Sequence, residues 1–188
     1  MTAKRSSLTT VIEMANPVFV VLAILLPIGA LVLALLTKSL VALNYVHILT
    51  GGLWTGIDLF MGFVLGPVLG GMETAARVSL FRRLIPRMTF LMPVVAAVTT
   101  TAGFVLAKHM GYSLTSPKII VAFVISGILT VQGFAFLLPN EIRIFKQLLS
   151  DKPDTGLISR LGMRNARLGG SQGVFQLAII FVMAIIRI

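Results

Sequence analysis

The sequence predicts an all-α protein, a polytopic transmembrane helical bundle of five spans in one integral membrane domain covering residues 1–188. Three observations predict it. Apolar runs of about 20 residues recur along the chain, the length a helix needs to cross a hydrocarbon core of about 30 Å. Charged residues make up 12% of the chain and the mean hydropathy is +1.00, whereas a soluble domain carries about 25% charge. No segment has the two-residue alternation of an outer-membrane barrel strand.

The spans follow in order. Residues 1–15 are polar and carry Lys4 and Arg5. The run 17–36 is longer than the 7–15 or so apolar residues of a secretory signal, so it reads as a retained first span that starts at Pro17. The second span covers 40–70 and exceeds the bilayer core, which predicts a tilt, a protrusion or a break near Gly66–Pro67. A basic connection over 72–87, with Arg77, Arg82, Arg83 and Arg87 among apolar residues, reads as an interfacial helix ending at Pro86. The third span is 88–108 and the fourth 118–138, closed by Pro139 and Asn140. A second basic connection, 140–167, precedes the fifth span, 168–188, where Gln172 and Gln176 sit one turn apart.

Charge sets the expected orientation. Twelve of the sixteen Lys and Arg fall on the N-terminus and the 72–87 and 140–167 connections, and four on the other side: Lys38, Lys108, Lys118 and Arg187. The positive-inside rule then places the N-terminus in the cytoplasm and the C-terminus outside, in a cell inner membrane. The net charge of +10 is that of loops facing anionic lipid, with no nucleic-acid partner expected. Arg77, Arg82, Arg83 and Arg87 are the candidate contacts for lipid or another anion. The absence of cysteine excludes disulfides, thiolate metal sites and c-type haem attachment.

The stretch 44–71 holds the candidates for chemistry. His47, Gly51, Trp54 and Asp58 fall at i, i+4, i+7 and i+11 and share one helical stripe. His47 is a candidate haem or metal ligand, with Gly51 leaving clearance and Trp54 packing alongside. His109, near the same outer side, is the candidate second ligand. Asp58 lies about 16 Å deeper than His47 by helix rise. It is the acidic residue at membrane depth, expected to carry protons, bind a cation, or hydrogen-bond Thr99–Thr101 or Gln132. Met88 and Met92 are candidate Cu(I) thioethers. Gly52 and Gly56, and Gly62, Gly66 and Gly70, form small-residue faces for helix packing. No phosphate loop, zinc-protease motif or nucleophile triad is present, which argues against a hydrolase.

The run YVHILTGGLWTGIDLF, the basic VSLFRRLIPRM and the helix ending TTTAGFVLA resemble the copper-resistance D (CopD) type and the related HemJ-type protoporphyrinogen oxidases. The resemblance covers about residues 44–107, through His47, Trp54-Thr55-Gly56, Arg82, Arg83, Arg87 and Gly103. It implies a bundle that holds haem b through a helix histidine, with redox or copper-linked membrane chemistry.

The expectation is therefore an integral membrane b-type haem-binding redox protein or redox-complex subunit, and if an enzyme, a membrane oxidoreductase. Two alternatives stand beside it. One is a small-molecule or ion transporter component, copper included, that uses Asp58. The other is a non-catalytic subunit packed by its glycine faces against other membrane subunits or further copies of itself.

Overall fold

The computed structural model describes residues 7–186. Lys4, Arg5 and Arg187, which enter the charge count above, lie outside the described residues. Six helices follow one another: α1 (Ser7–Ala15), α2 (Pro17–Leu36), α3 (Leu40–Gly71), α4 (Thr74–His109), α5 (Pro117–Leu148) and α6 (Thr155–Ile186). No strand occurs among the described residues. Helices α2 to α6 are each long and apolar enough to cross a membrane. Their outward faces carry large apolar side chains such as Leu25, Val41, Phe63, Phe134 and Phe181, all exposed. That is the surface of a multi-pass membrane protein, because water would not tolerate an apolar belt of this extent.

Short polar turns separate the helices. Asn16, at φ 73°, joins α1 to α2 and its side-chain oxygen caps Val18 N at 3.0 Å. Asparagine tolerates the left-handed region better than most residues. Lys38 takes φ 52°, and the next residue, Ser39, caps α3 by accepting from Ala42 N at 3.2 Å. Gly111, at φ 72°, follows α4, where glycine avoids a Cβ clash.

The helices run further than the apolar stretches alone suggest. The basic segment 72–87 belongs largely to α4, which continues through Pro86 and Pro93. The segment 140–167 is also mostly helix, with 149–154 as the turn between α5 and α6. Residues 7–15, read above as a polar lead, form α1, whose Val11 and Ala15 are buried. The break anticipated at Gly66–Pro67 does not occur. Instead α3 widens into a π-helical segment, Phe60–Leu65, where Gly66 N–H donates to Met61 O five residues back. The same happens in α5 at Gly133–Leu137, where Leu138 N–H donates to Gly133 O. Each wide segment ends two residues before a proline, Pro67 or Pro139. A proline has no N–H to donate and crowds the carbonyl four residues earlier. The wide turn contains that carbonyl and makes room, so the helix goes on.

Helix α3 lies between α4 and α6, α2 covers α4, and α5 packs along α6. Two apolar clusters divide the bundle along its length. One joins α2, α3 and α4 through Leu31, Leu43, Val46, Val98 and Ala102. The other, at the opposite end, joins α3 to α6 through Leu69, Phe81, Ile85, Ile144 and Ile158. Glycines set the closest approach. A Cβ built on Gly170 would lie 2.7 Å from Gly62 Cα, so α3 and α6 meet backbone to backbone there. Gly52, Gly56 and Gly70 have nothing within 4 Å of a built Cβ and do not serve this interface.

Gly62→Leu is therefore expected to destabilise the bundle by at least the 1–3 kcal/mol or so typical of overpacking, and Gly56→Leu to leave it unchanged. Thermal unfolding of the two variants in detergent checks the contrast.

Candidate functional site

The site is built where α3 faces α6. Asp58 lies two residues ahead of the π-helical segment and is 4% exposed. Gln176 of α6, 2% exposed, donates Nε2–H to Asp58 Oδ2 at 2.8 Å. The Trp54 indole, one turn earlier on α3, is a second hydrogen-bonding neighbour of the carboxyl. Gly169 leaves the space that Asp58 occupies, since a Cβ there would lie 3.2 Å from Oδ1. Among the described residues no Lys, Arg or His pairs with Asp58. The Gln176 Oε1 is buried and has no donor. The partner of Asp58 is thus Gln176, rather than Thr99–Thr101 or Gln132.

Asp58 borders a cavity of about 80 Å³ between α3, α4, α5 and α6. Its walls are mainly apolar, and Met61, Met88 and Met92 all face it. The second carboxyl on its wall is Glu141 of α5. Sequence reading placed Glu141 beyond the fourth span, because Pro139 looked like a helix end. It lies inside a helix that is long and apolar enough to span. Thr89 Oγ1 of α4 donates to Glu141 Oε2 at 2.7 Å and also lies 2.9 Å from Ile85 O. The π-helical segment of α5 is itself tied to α6: Asn165 donates Nδ2–H to Leu137 O at 3.3 Å and accepts from Asn140 Nδ2 at 2.7 Å. Two further amides bridge α5 and α6. Gln172 Nε2 donates to Leu129 O at 3.0 Å, and Gln132 Nε2 to Ser171 Oγ at 3.5 Å.

His47 points elsewhere on α3. Its Nδ1 lies 2.9 Å from Thr99 O. A backbone carbonyl only accepts, so Nδ1 carries the hydrogen and Nε2 the lone pair in the neutral ring. The ring rests on Gly103 of α4, where a Cβ would come within 2.7 Å of its Cε1. Gly51 does not open onto free space. Thr99 Cγ2 would lie 3.1 Å from a Cβ at that position, and Thr99 Oγ1 donates to Thr50 Oγ1 at 2.8 Å. The clearance anticipated for a porphyrin edge beside Gly51 is thus filled by Thr99. His109 is exposed and its Nδ1 donates to Val105 O of its own helix at 2.9 Å. The structure joins Trp54 to Asp58, and His47 to the Thr50–Thr99 pair; it makes no link between His47 and His109.

The four arginines also differ among themselves. Arg77 is a structural tie, donating to Ser159 Oγ at 3.0 Å and Met72 O at 2.7 Å. Arg82 and Arg83 are exposed at the start of α4, and Arg87 stands 6.0 Å over the Phe19 ring.

Replacing Gln176 by Leu leaves a buried carboxyl without its amide donor and is expected to cost about 1–2 kcal/mol, the upper range for such bonds between membrane helices. The double variant Asp58→Leu/Gln176→Leu is expected to cost less than the sum of the single changes, because it removes donor and acceptor together. Unfolding free energies of the four proteins test the coupling.

Comparison with protein families, with curated proteins and with solved structures found no match to this chain.

Proposed function

We propose that the chain is a proton-handling membrane protein in which Asp58 binds and releases a proton within the bilayer as part of proton-linked transport. The buried Asp58–Gln176 pair carries this reading. A carboxyl at membrane depth with no cation beside it must be neutralised or reach water. Its near neighbours, the Gln176 amide and the Trp54 indole, each present an N–H to it. Such a setting suits a carboxyl that alternates between O–H and O⁻. The orphaned Gln176 Oε1 supports the same reading. A proton on Asp58 supplies the donor that this oxygen lacks, closing an acid–amide pair with two hydrogen bonds in place of one.

Chain asymmetry supports the direction of access. Ten described Lys and Arg lie towards the end that holds the 72–73 and 149–154 turns, and Lys38, Lys108 and Lys118 towards the other. We assign the first end to the cytoplasm of a cell with a single energised inner membrane, following the positive-inside rule.

Vesicles containing the purified protein, loaded with a pH-sensitive dye and given an inside-negative potential, test the reading. Proton uptake above that of empty vesicles is expected, and Asp58→Asn is expected to abolish it. Uptake equal in the wild type and in Asp58→Asn, or none above empty vesicles, would discard Asp58 as a transported-proton site.

A second reading is favoured by His47. An imidazole whose Nδ1–H is fixed by a backbone carbonyl offers Nε2 as a ligand nitrogen, and among the described residues nothing occupies Nε2. A b-type haem would take its axial nitrogen from such a ring, with His47 as the residue that would hold it. A reduced-minus-oxidised absorption spectrum of the purified protein decides it. A b-type band that His47→Ala removes and His109→Ala leaves unchanged supports haem on His47, and a spectrum without one ends this reading.

A further inference from the structure

We infer that Glu141 is the entry relay through which the proton reaches Asp58 from the basic end of the bundle. The inference rests on the proposed proton role of Asp58. Both acids line one cavity, Asp58 from α3 and Glu141 from α5. Asp58 lies 13 residues before the end of α3, about 20 Å, whereas Glu141 lies seven residues before the end of α5, about 10 Å. Those two helix ends close the same, basic side. Glu141 is therefore the acid nearer the basic end, and its surface is less completely covered than that of Asp58.

The cavity of about 80 Å³ has room for water, and the Asp58 and Glu141 carboxyls with the Asn165 and Gln172 amides are the polar groups on its otherwise apolar wall. Pockets for drug-sized ligands run to about 300 Å³ and more, so this one is too small for a large substrate. Among the described residues no other charged side chain faces it. The Asn140 and Asn165 amides are engaged with one another and with Leu137 O.

The Thr89 hydroxyl shows how Glu141 holds its proton. One hydroxyl hydrogen faces two acceptors, Ile85 O at 2.9 Å and Glu141 Oε2 at 2.7 Å. A proton on Glu141 resolves the shortage: Glu141 O–H donates to Thr89 Oγ1, and Thr89 O–H donates to Ile85 O. When Glu141 gives up that proton to the cavity water, one O–H bond breaks at Glu141 and one forms at Asp58. The Glu141 carboxylate then accepts from Thr89 until it is reprotonated from the basic end. No electrons move and no co-reactant is needed.

The test measures proton uptake by vesicles holding the full chain, alongside labelling by dicyclohexylcarbodiimide, which adds to protonated carboxyls in apolar surroundings. Glu141→Gln is expected to slow uptake by about a hundredfold, the lower end of what a positioned proton-transfer group contributes. Glu141→Asp is expected to restore most of it. Asp58 is expected to remain labelled in both variants, as mapped by mass spectrometry. Wild-type uptake in Glu141→Gln overturns the relay and leaves the Asp58 reading standing. Loss of Asp58 labelling in both Glu141 variants marks Glu141 as structural and also overturns it. If Asp58→Asn conducts as well, or the wild type does not conduct, the underlying reading fails and the relay with it.

Discussion

The contact that the rest depends on is the backbone-to-backbone approach of α3 and α6 at Gly62 and Gly170. A Cβ on Gly170 would come within 2.7 Å of Gly62 Cα. With side chains of ordinary size there, the two helices would stand further apart and the Asp58–Gln176 bond of 2.8 Å would not form. In hydrocarbon an acid has no water to fall back on, so a lost partner is felt more than at a soluble protein's surface. Gly169 and Gly173 on α6 continue the same face, giving room to Asp58 and to Leu59. The small residues and the acid are thus parts of one device: the first bring the helices together, and the second is what their closeness allows to be buried.

Much of this was legible in the chain. Apolar run length alone yields five spans, because the bilayer fixes the length that a helix must keep apolar. The isolated Asp58 declared itself by being ionisable within such a run, and the one-turn spacing of Gln172 and Gln176 anticipated interhelical bonds. Their destinations were not legible. Gln176 bonds α3 and Gln172 bonds α5, and nothing in a local period says which neighbour a helix face will meet. The stripe from His47 to Asp58 is a real alignment on α3, yet α3 sits between two helices. His47 therefore engages α4 while Asp58 engages α6. Gly51 shows a related limit: a small residue marks a close approach without naming what approaches, and here it is Thr99.

Glu141 escaped notice because Pro139 carries the ordinary sign of a helix end. The sign was overridden by the wide turn Gly133–Leu137, which has no hydrophobic period of its own. A signal was nonetheless there: Asn140, Ile144 and Leu148 recur every four residues after the proline, and all three are buried. A buried four-residue period beyond a proline argues for a helix that continues past it. The basic segments 72–87 and 140–167 read in sequence as connections outside the spans, the first an interfacial helix ending at Pro86, whereas in the structure they run on within the long helices α4, α5 and α6. Their exposed arginines project from helices whose other faces are packed.

The two wide turns have a further consequence, in terms of how such a chain accommodates change. A π-helical turn holds one residue more than an α-turn, so each of α3 and α5 carries a surplus residue. The surplus offsets the two ends of a helix by about 100°, and so lets them present different faces inward. In α3 the face before the turn serves Asp58 and the face after it serves Leu69; in α5 they serve Leu129 and Ile144. Each half of the helix is then free to vary in sequence against its own neighbours without disturbing the other. The bundle is continuous as a backbone and modular as a set of surfaces, with the acids stationed beside the joints.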